Sequence, residues 1–317
     1  MKTGYSEVLD NGDGSQKVSF GDILRTTPLL HVYPDAHVTW VTDEAAFPLL
    51  KGNNYIDRLL HLNFTNAMHL LDESFDTIIN LEKNHDICKF SGKLKAWRRY
   101  GFRFDERTNK AEAYDRASEI LTVSSDSKIK KENKKTVQEL LFNMIGKEWK
   151  GEEYILGYVP KSREVYDIGF NTIVGKKWPT KLWPSENWDK LEEMLRTKFI
   201  VSRQEQQGSE ILQDLYRYID WINSCKSIIT NDSLGLHIAL VLKKKVLCLL
   251  GPTADKEIYY YNRGKSVFPN APFECRPCFK PECDKYQHSC MESISPEMVC
   301  NEIKNLLSSR QDFSTDF

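Results

Sequence analysis

The sequence predicts an α/β protein built from two parallel-sheet units, and three observations carry that prediction. Short apolar runs typical of buried strands alternate with amphipathic stretches typical of helices, an order that indicates βαβ units. The chain has 317 residues, which at about 100–200 residues per domain favours two domains over one. The alternation pauses near the middle of the chain, so the predicted boundary divides residues 1–157 from residues 158–317.

The individual elements follow from composition and periodicity. Strands are predicted where β-branched and other apolar residues cluster, at residues 38–42, 77–81, 199–201, 227–230 and 246–250. Helices are predicted where apolar residues recur at helical spacing, at residues 63–73, 136–145, 186–197, 210–223 and 235–243. A lysine-rich stretch at residues 127–135 has no interleaved aromatic residues and is interpreted as a solvated face.

Composition and charge exclude several classes of protein. Apolar residues make up 40% of the chain and charged residues 28%, a balance typical of a folded globular protein. The 44 basic and 45 acidic side chains leave a formal charge of −1, without the basic excess that non-specific nucleic-acid binding requires. No apolar run approaches the ~18 residues of a membrane span, and the chain does not open on a secretion signal. We therefore expect a cytoplasmic protein with no nucleic-acid partner.

The turn after the predicted strand at 227–230 has the features of an anion site. Asp232 and Ser233 are good helix N-cap residues, and a helix N-terminus offers free N–H groups and a partial positive charge to a phosphate. Gly235 lets the backbone approach a ligand closely, and His237 falls in the first helical turn. Ligands of open α/β sheets bind at the carboxyl ends of the strands. An ordinary capped helix in a doubly wound domain explains these residues equally well.

Two further segments fall at comparable positions. A Gly-Pro-Thr turn at residues 251–253 ends the next predicted strand, and two such turns on adjacent strands favour a shared site. A loop with three lysines, Lys176, Lys177 and Lys181, follows an earlier strand-like run, and its ammonium groups suit a diphosphate. Ser185 is expected to cap the helix that follows. A solvated basic loop is the alternative for this segment.

Three segments together resemble glycosyltransferase family 9, the ADP-heptose:lipopolysaccharide heptosyltransferases and their relatives. The first is the Gly-Asp-Ile-Leu-Arg-Thr-Thr-Pro-Leu-Leu opening at residues 21–30, followed by the strand at 38–42. The second is Lys-Leu-Trp-Pro at 181–184, and the third is Asp-Ser-Leu-Gly-Leu-His at 232–237 with Gly-Pro-Thr at 251–253. Their order and spacing agree with the family, so the resemblance spans residues 21–303.

The resemblance implies a GT-B fold, in which two Rossmann-like domains face each other across a cleft, here with a Cys-rich finger near the C-terminus. The N-terminal domain would bind the acceptor, and the C-terminal domain would bind a nucleotide-diphospho-sugar donor, with ADP-heptose as the first expectation. The reaction implied by the family inverts the anomeric centre and uses no catalytic metal.

The resemblance also assigns roles to individual residues. Asp22 corresponds to the general base that takes the proton of the acceptor hydroxyl, and Arg25 and Thr26, in the same motif, are expected on the acceptor side. From the residues alone, Asp22 would be taken for a helix N-cap. The donor-binding residues expected to hold the diphosphate and its neighbouring sugars are Lys181, Glu205, Asp232, Ser233, Leu234, Gly235, His237 and Thr253. Fixed cations and helix N–H groups suit the charge that develops on a nucleotide leaving group.

The sequence departs from the family in two places. Family members begin with a buried apolar strand, whereas residues 1–5 resemble only the tail of one and a polar loop follows at residues 6–17. Either the natural start lies upstream or residues 1–5 are a short substitute, and the loop is expected to be a mobile flap over the acceptor. The second departure is Leu234-Gly235, where the glycine of the phosphate turn is shifted by one position.

Four of the 8 cysteines, Cys275, Cys278, Cys283 and Cys290, are gathered in one short segment that opens with a C-x2-C knuckle. Four thiols at this spacing suit a tetrahedral metal, and Arg276 and nearby lysines would favour thiolates. Two disulfides or four free thiols are the alternatives, and the expected absence of secretion makes disulfides less favoured. Since some relatives carry a cysteine-bound iron, a structural iron or zinc is expected here. His288 is a substitute ligand in this interpretation.

Residues 93–104 alternate basic and aromatic side chains. Such a surface suits an anionic sugar or a lipid-linked acceptor, through stacking and charge. A partly buried strand with a solvated basic edge is the alternative, and local nucleic-acid binding is a weaker one. Glu82 follows the end of the predicted strand at 77–81, so it is a second carboxylate expected on the acceptor side.

The function predicted from the sequence is therefore an inverting glycosyltransferase that moves a sugar, expected to be a heptose, from a nucleotide-diphospho-sugar to a hydroxyl of a glycan, lipid-linked, protein or small-molecule acceptor. Peripheral contact with the inner face of a membrane and oligomerisation are both compatible with it. The alternative is a non-catalytic protein of the same fold that uses the nucleotide cleft and the metal finger to bind partners. The presence of Asp22, Lys181 and Asp232 together favours the enzyme.

Overall fold

The computed structural model of the protein describes residues 19–204, 214–285 and 289–308. Within that part, one compact unit runs to Val159 and includes residues 256–258, and the other begins at Pro160 and includes the remainder. The expected strand and flap at residues 1–17, the donor residue Glu205 and the substitute ligand His288 lie outside the described residues.

The N-terminal unit contains the first seven helices and five strands of the described chain. The helices are α1 (Phe20–Thr26), α2 (Phe47–Leu50), α3 (Phe64–Asp72), α4 (His85–Lys93), α5 (Ser118–Ser125), α6 (Ser127–Glu132) and α7 (Val137–Met144). The strands are β1 (Thr39–Thr42), β2 (Arg58–His61), β3 (Ser74–Asn80), β4 (Lys95–Asp105) and β5 (Lys110–Ala113). Strands β1 and β2 pair in parallel, as do β3 and β4, whereas β5 pairs with β4 antiparallel.

The close pairing of β3 and β4 explains one glycine of the N-terminal unit. Gly101 lies opposite Asn80 and has a φ of +89°, and a Cβ atom there would fall 1.9 Å from the Asn80 carbonyl oxygen. Only glycine fits both constraints. The Asn80 side chain then donates to the carbonyl oxygens of Phe102 (2.8 Å) and Glu82 (3.1 Å), so it fixes the segment that leaves β3.

The C-terminal unit has one five-stranded parallel sheet. Its strands are β6 (Tyr166–Asn171), β7 (Val201–Arg203), β8 (Cys225–Asn231), β9 (Lys245–Leu249) and β10 (Gly264–Val267), and its helices are α8 (Ser185–Arg196), α9 (Leu215–Asn223), α10 (Leu234–Val241) and α11 (Pro296–Ser308). The strand order is β10-β9-β8-β6-β7. This is a doubly wound order whose direction of winding reverses between β6 and β8, the position where such sheets bind ligands.

The two faces of this sheet differ in character. One face is apolar: Phe170, Ile229, Leu247 and Leu249 pack with residues of α8 and α11 and with Trp183 in a buried cluster. On the other face, Asn171 is in register with Thr230, Thr230 with Cys248, and Cys248 with Ser266. We call these four residues the polar row. Residues in register on parallel strands project from the same face, so the polar row crosses the sheet one position short of its carboxyl edge.

Most predicted elements are confirmed, with small shifts at their ends. The strand predicted at 199–201 begins only at Val201, and residues 93–104 are largely strand β4. The prediction that Ser185 caps the following helix is wrong. Pro184 occupies the N-cap position and Ser185 is the first helical residue. Leu182 and Pro184 have extended backbone angles, so the helix begins only after Pro184.

No helix that the structure describes is long and apolar enough to cross a membrane.

The buried pair of tryptophans in the C-terminal unit gives a test of the core. Trp188 is 1% exposed, and its ring lies 4.8 Å from that of Trp183 and 5.2 Å from that of Phe170. We expect Trp188→Ala to lower the free energy of unfolding by about 3–5 kcal/mol, measured by urea denaturation followed by circular dichroism. Trp97→Ala is the control, since Trp97 is 85% exposed and its loss should cost less than about 0.5 kcal/mol. Equal effects of the two variants would contradict this core.

Candidate functional site

The candidate site lies at the carboxyl edge of the C-terminal sheet. Strands β6, β8 and β9 are neighbours there, and they are followed by Thr172, Asp232 and the Gly251-Pro252-Thr253 turn. Because β6 and β8 flank the reversal of winding, the loops after them diverge and leave room at the edge. Residues that are far apart in sequence therefore meet at this position.

Three of the predicted donor-binding residues come into direct contact. The Lys181 ammonium lies 2.8 Å from Asp232 Oδ2, and the Thr253 hydroxyl donates to the same oxygen at 2.8 Å. The side chains of Lys181 and Asp232 are each 15% exposed. The Lys181 ammonium also lies 5.6 Å from the centroid of the Trp178 ring. The contacts hold the ammonium group in one place at the edge of the sheet.

The charge state of Asp232 follows from these neighbours. Burial by itself raises the pKa of Asp232, but the charge and hydrogen bond of Lys181, with smaller contributions from His237 and Thr253, hold the pKa well below its usual range. The carboxylate is therefore ionised at neutral pH. Since an anion repels a phosphate, the Asp232 carboxylate by itself disfavours direct contact with such a ligand, and the cation beside it is Lys181.

The turn that opens α10 differs from the predicted cap. Ser233 occupies the N-cap position, but its side chain makes no capping hydrogen bond. Its hydroxyl oxygen instead accepts from Asn171 Nδ2 at 2.8 Å, so the predicted N-cap position is confirmed for Ser233 but the expected capping hydrogen bond is not formed. Leu234 is the first residue of α10, and His237 is buried in it at 5% exposure. The positive end of the α10 dipole is left without a side-chain cap from Ser233.

The shifted glycine of the sequence has a packing explanation. A Cβ atom on Gly235 would fall 2.4 Å from Asn171 Nδ2 and 2.5 Å from the Tyr218 hydroxyl oxygen. Those two side chains are themselves hydrogen-bonded, so neither can move away without losing a partner. The glycine therefore stands where α10 comes closest to the polar row.

Asn231 ties the loops of the site together. Its Oδ1 accepts from the Trp183 backbone N–H at 3.1 Å, and its Nδ2 donates to the Thr172 carbonyl oxygen at 3.2 Å. Trp183 is anchored in turn, because its indole N–H donates to the Ile294 carbonyl oxygen at 2.9 Å. The loop that carries Lys181 is thus fixed to the end of β8.

The Cys-rich segment forms hydrogen bonds to the same loops. The Arg276 guanidinium donates to the carbonyl oxygens of Gly251 (2.8 Å) and Leu250 (3.1 Å), and the Phe279 N–H donates to that of Pro252 at 3.0 Å. The Thr180 hydroxyl donates to the Lys280 carbonyl oxygen at 2.7 Å. The segment therefore contacts both the Gly-Pro-Thr turn and the loop of Lys181.

The four clustered thiols suit iron or zinc in their chemistry, but they do not form a closed site. Cys275 and Cys283 are exposed, Cys278 and Cys290 are half-buried, and none forms a disulfide. Over residues 19–204, 214–285 and 289–308, no three His, Cys, Asp or Glu side chains are gathered closely enough to hold a metal ion. Burial raises the pKa of Cys290 to about 11, despite the opposing charge of Arg276. Arg276 thus favours the thiolate as expected, but burial outweighs its effect on the pKa of Cys290.

The residues expected on the acceptor side lie in the N-terminal unit. Asp22 stands in the first turn of α1 and not at its N-cap, which is Ser19, so the interpretation of Asp22 as a cap is wrong. The Ser19 hydroxyl donates to Asp22 Oδ2 at 2.7 Å, and the Arg25 guanidinium lies 3.5 Å from Asp22 Oδ1. The Asp22 side chain is 47% exposed, so these partners orient a carboxylate that solvent reaches. The Thr26 hydroxyl is buried and donates to the Ile23 carbonyl oxygen at 2.7 Å.

Glu82 occupies the segment that leaves β3. The residue is 2% exposed, and its carbonyl oxygen accepts hydrogen bonds from the Asn80 amide and the Cys88 thiol. The neighbouring Asn84 caps α4 by accepting from the backbone N–H groups of Asp86 and Ile87. The backbone at Glu82 is therefore held firmly.

Sequence reasoning missed Asn171, Tyr218 and Arg276 as residues of this site. Asn171 was visible only as the polar end of an apolar run, and Tyr218 fell on the apolar side of a helical pattern. The Tyr218 hydroxyl donates to Asn171 Oδ1 at 2.7 Å across 47 residues of sequence. The one available signal was the glycine at 235, whose shifted position marks a close approach.

The Lys181–Asp232 pair makes a prediction about stability. We expect Asp232→Asn to lower the free energy of unfolding by about 1–3 kcal/mol at pH 7, between the values typical of exposed and of buried pairs. Because the pKa of Asp232 is lower in the folded state than in the unfolded chain, this contribution is present above pH ~4 and is lost as the pH falls through the folded-state value. The difference between variant and wild type should therefore shrink below pH ~4 in urea denaturation.

Asp189→Asn is the matched control for this prediction. Asp189 pairs with Arg203 at 2.7 Å in the same unit, but its side chain is 61% exposed, so its loss should cost less than about 1 kcal/mol. A difference for Asp232→Asn that stays constant from pH 7 to pH 3 would contradict the assignment of an ionised, paired Asp232.

Comparison with known proteins finds similarity to one family over part of the chain. The family described as Glycosyltransferase family 9 (heptosyltransferase) matches residues 212–288, a stretch that includes α10, the Gly-Pro-Thr turn and three of the four clustered cysteines. Lipooligosaccharide heptosyltransferase 2 of Campylobacter jejuni is 32% identical over 83 residues, which are 26% of this chain and 26% of the relative. The Haemophilus influenzae protein of the same name is 26% identical over 180 residues, 50% of this chain and 48% of the relative. The chain thus spans between about a quarter and about a half of the length of the curated relatives it matches.

Solved structures show the same fold over nearly the whole chain. E. coli ADP-heptose lps heptosyltransferase II covers 91% of this chain and 96% of its own, with a TM-score of 0.64 and 16% identity. The iron-containing dodecameric glycosyltransferase TibC of enterotoxigenic E. coli covers 91% of this chain and 74% of its own, with a TM-score of 0.57 and 12% identity. The chain is therefore similar in sequence to glycosyltransferase family 9 and shares the α/β fold of heptosyltransferases, as the motifs of its sequence predicted.

Proposed function

We propose that the protein is an inverting glycosyltransferase that transfers a heptose from ADP-heptose to a sugar hydroxyl in the biosynthesis of lipopolysaccharide. The observation that carries this proposal is the fixed ammonium of Lys181, held by Asp232, whose carboxylate also accepts from Thr253 and lies two residues before the start of α10. The similarity to proteins named lipooligosaccharide heptosyltransferase and ADP-heptose heptosyltransferase supports the choice of sugar and nucleotide.

The proposed reaction needs positive charge next to the donor bond that is cleaved, the bond between the sugar and the diphosphate. When the bond between the sugar and the diphosphate is cleaved, negative charge grows on the departing ADP, and pre-arranged cations and N–H groups stabilise it. Lys181 supplies the cation, and the backbone N–H groups at the start of α10 supply donors and a partial positive charge. Neither group needs to reorganise during the reaction, because the surrounding loops are already hydrogen-bonded to one another.

Asp22 is proposed as the general base for the acceptor. A half-exposed carboxylate oriented by Ser19 and Arg25 is reached by solvent and is of the type that accepts the proton of a sugar hydroxyl. Loss of that proton makes the hydroxyl oxygen a nucleophile, which attacks the anomeric carbon from the side opposite the departing ADP and inverts it. Arg25, Thr26 and Glu82 are proposed to shape the acceptor site around it.

The acceptor is proposed to be a glycan, with a lipid-linked core as the first candidate and a protein or small molecule as alternatives. Strand β4 carries the exposed Trp97 among basic residues, a surface suited to stacking on sugars and to anionic groups. This assignment places the protein in the cytoplasm, with peripheral contact at the inner face of the membrane. Association of several copies is compatible with it.

A structural metal is proposed for the Cys-rich segment. Cys275, Cys278, Cys283 and Cys290 would hold iron or zinc, and the described thiols would have to draw together to do so. When bound, the ion would tie the segment into one unit without taking part in sugar transfer. The iron-containing relative of the same fold supports iron as one candidate.

The proposed base gives the test of function. We expect Asp22→Asn to lower the rate of heptose transfer from ADP-heptose to a lipopolysaccharide core acceptor by about 10²–10⁴-fold, measured by mass spectrometry of the product. Binding of ADP, measured by calorimetry, should not change. Asp35→Asn, at an exposed carboxylate of the same unit, is the control and should keep full activity. If wild type transfers no sugar from ADP-, UDP- or GDP-sugars, a non-catalytic binding protein replaces the enzyme.

The proposed metal has its own measurement. Purified protein should contain stoichiometric iron or zinc by plasma mass spectrometry, and Cys275→Ser should lower that content. Cys88→Ala, at a buried cysteine of the N-terminal unit, should leave it unchanged. A folded, fully reduced and metal-free wild type that transfers sugar would remove the metal from the proposal.

A further inference from the structure

A buried chain of hydrogen bonds connects α9 to the turn in front of α10. The Tyr218 hydroxyl donates to Asn171 Oδ1 at 2.7 Å, and Asn171 Nδ2 donates to Thr230 Oγ1 at 2.7 Å and to Ser233 Oγ at 2.8 Å. Asn171 is completely buried and Tyr218 is 4% exposed. Burying a polar group costs free energy unless it is hydrogen-bonded. The mutual hydrogen bonds of these side chains offset that cost.

The direction of each hydrogen bond follows from the partners. Burial raises the pKa of Tyr218 far above neutrality, so the phenol keeps its proton and donates. The Thr230 hydroxyl donates to the Asn231 carbonyl oxygen at 2.7 Å, so its oxygen is free to accept from Asn171. The reversed amide would leave the phenol proton without an acceptor and would turn an oxygen toward Thr230. Tyr218 and Thr230 therefore fix which end of the Asn171 amide faces Ser233.

The fixed amide determines what Ser233 can offer. Its oxygen accepts the Asn171 N–H, so its own proton must point elsewhere. The side chain makes no capping hydrogen bond to α10. Ser233 is only half-buried and directly follows Asp232, whose carboxylate holds Lys181. The hydroxyl proton is thus available at the open edge of the sheet, on the loop that carries the proposed donor site.

We propose that Asn171 and Tyr218 are positioning residues that aim the Ser233 hydroxyl proton at the diphosphate of the nucleotide donor. This inference rests on the proposed function and names residues that act through Ser233 without touching the ligand. The series of hydrogen bonds ends in a hydroxyl whose proton points away from Asn171, which suits an anion. Gly235 belongs to the same arrangement, since any side chain there would displace both positioning residues.

The experiment measures binding of ADP and of adenosine to the full chain by calorimetry. Tyr218→Phe removes the proton that fixes the amide, and we expect ADP to bind about 10-fold more weakly. Asn171→Asp keeps the size of the side chain but replaces the donor with an acceptor, so the loss for ADP should be larger. Adenosine has no diphosphate, so its binding should be the same in wild type and in both variants.

A double-mutant cycle separates positioning from a merely structural role. If Tyr218 acts through Ser233, Ser233→Ala should weaken ADP binding to a similar extent, and adding Tyr218→Phe to it should cause no further loss. Tyr154→Phe is the matched control, because Tyr154 is 5% exposed and its hydroxyl accepts from Gln138 Nε2 at 3.0 Å in the other unit. Tyr154→Phe should leave ADP binding unchanged, and its melting temperature shows how much the loss of a buried tyrosine hydroxyl lowers stability. Should Tyr218→Phe fail to fold, Asn171→Asp carries the comparison.

The outcomes distinguish this inference from the function on which it rests. If wild type binds ADP but Tyr218→Phe binds it as tightly as Tyr154→Phe does, the inference is overturned and the proposed function stands. Additive losses in the double variant, or equal losses for ADP and adenosine, also overturn it. If wild type binds none of ADP, UDP and GDP, the proposed donor site fails and the inference with it.

Discussion

The ion pair between Lys181 and Asp232 is the contact around which the C-terminal unit is organised. It joins two loops that are separated by 51 residues of sequence, and Thr253 adds a third loop by donating to the same carboxylate oxygen. Loops at the edge of a sheet are otherwise free to move independently. Here a single carboxylate with two partners on different segments holds the three loops together, so the lysine has one position before any ligand arrives.

The sequence predicted where the strands and helices lie, but it did not predict which side chains form capping hydrogen bonds at the helix ends. Strands and helices were placed correctly because their periodicity depends on neighbours in sequence. Ser233 was expected to cap α10, yet its hydroxyl is engaged by Asn171, 62 residues away. Ser185 and Asp22 were also misplaced by a few positions relative to their helices. At Ser233 a contact from outside the helix decides the role of the side chain, whereas Asp22 is paired with Ser19 and Arg25 of its own helix.

The polar row shows what no single strand could indicate. Asn171, Thr230, Cys248 and Ser266 come from four strands and become one feature only when the strands are aligned. Each residue alone is an ordinary polar interruption of an apolar run. The sequence carried one trace of the arrangement, the glycine at 235, and the resemblance to a family made that glycine look like a displacement. Packing against Asn171 and Tyr218 explains it without any change in the role of the turn.

The distribution of cysteines divides the thiols of the chain into two chemical populations. Cys88, Cys225, Cys248 and Cys300 are buried, and burial raises the pKa of Cys225 to about 12 and holds that of Cys248 well above its ordinary value. Such thiols are slow to react, because the thiolate is the nucleophile and reagents cannot reach it. The thiols of the Cys-rich segment are exposed or half-buried, and that segment is hydrogen-bonded to the turn beside the proposed donor site. An alkylating dye added to the native, metal-free protein would therefore mark this segment selectively, and would place a reporter next to Gly251 and Pro252 without any engineered cysteine.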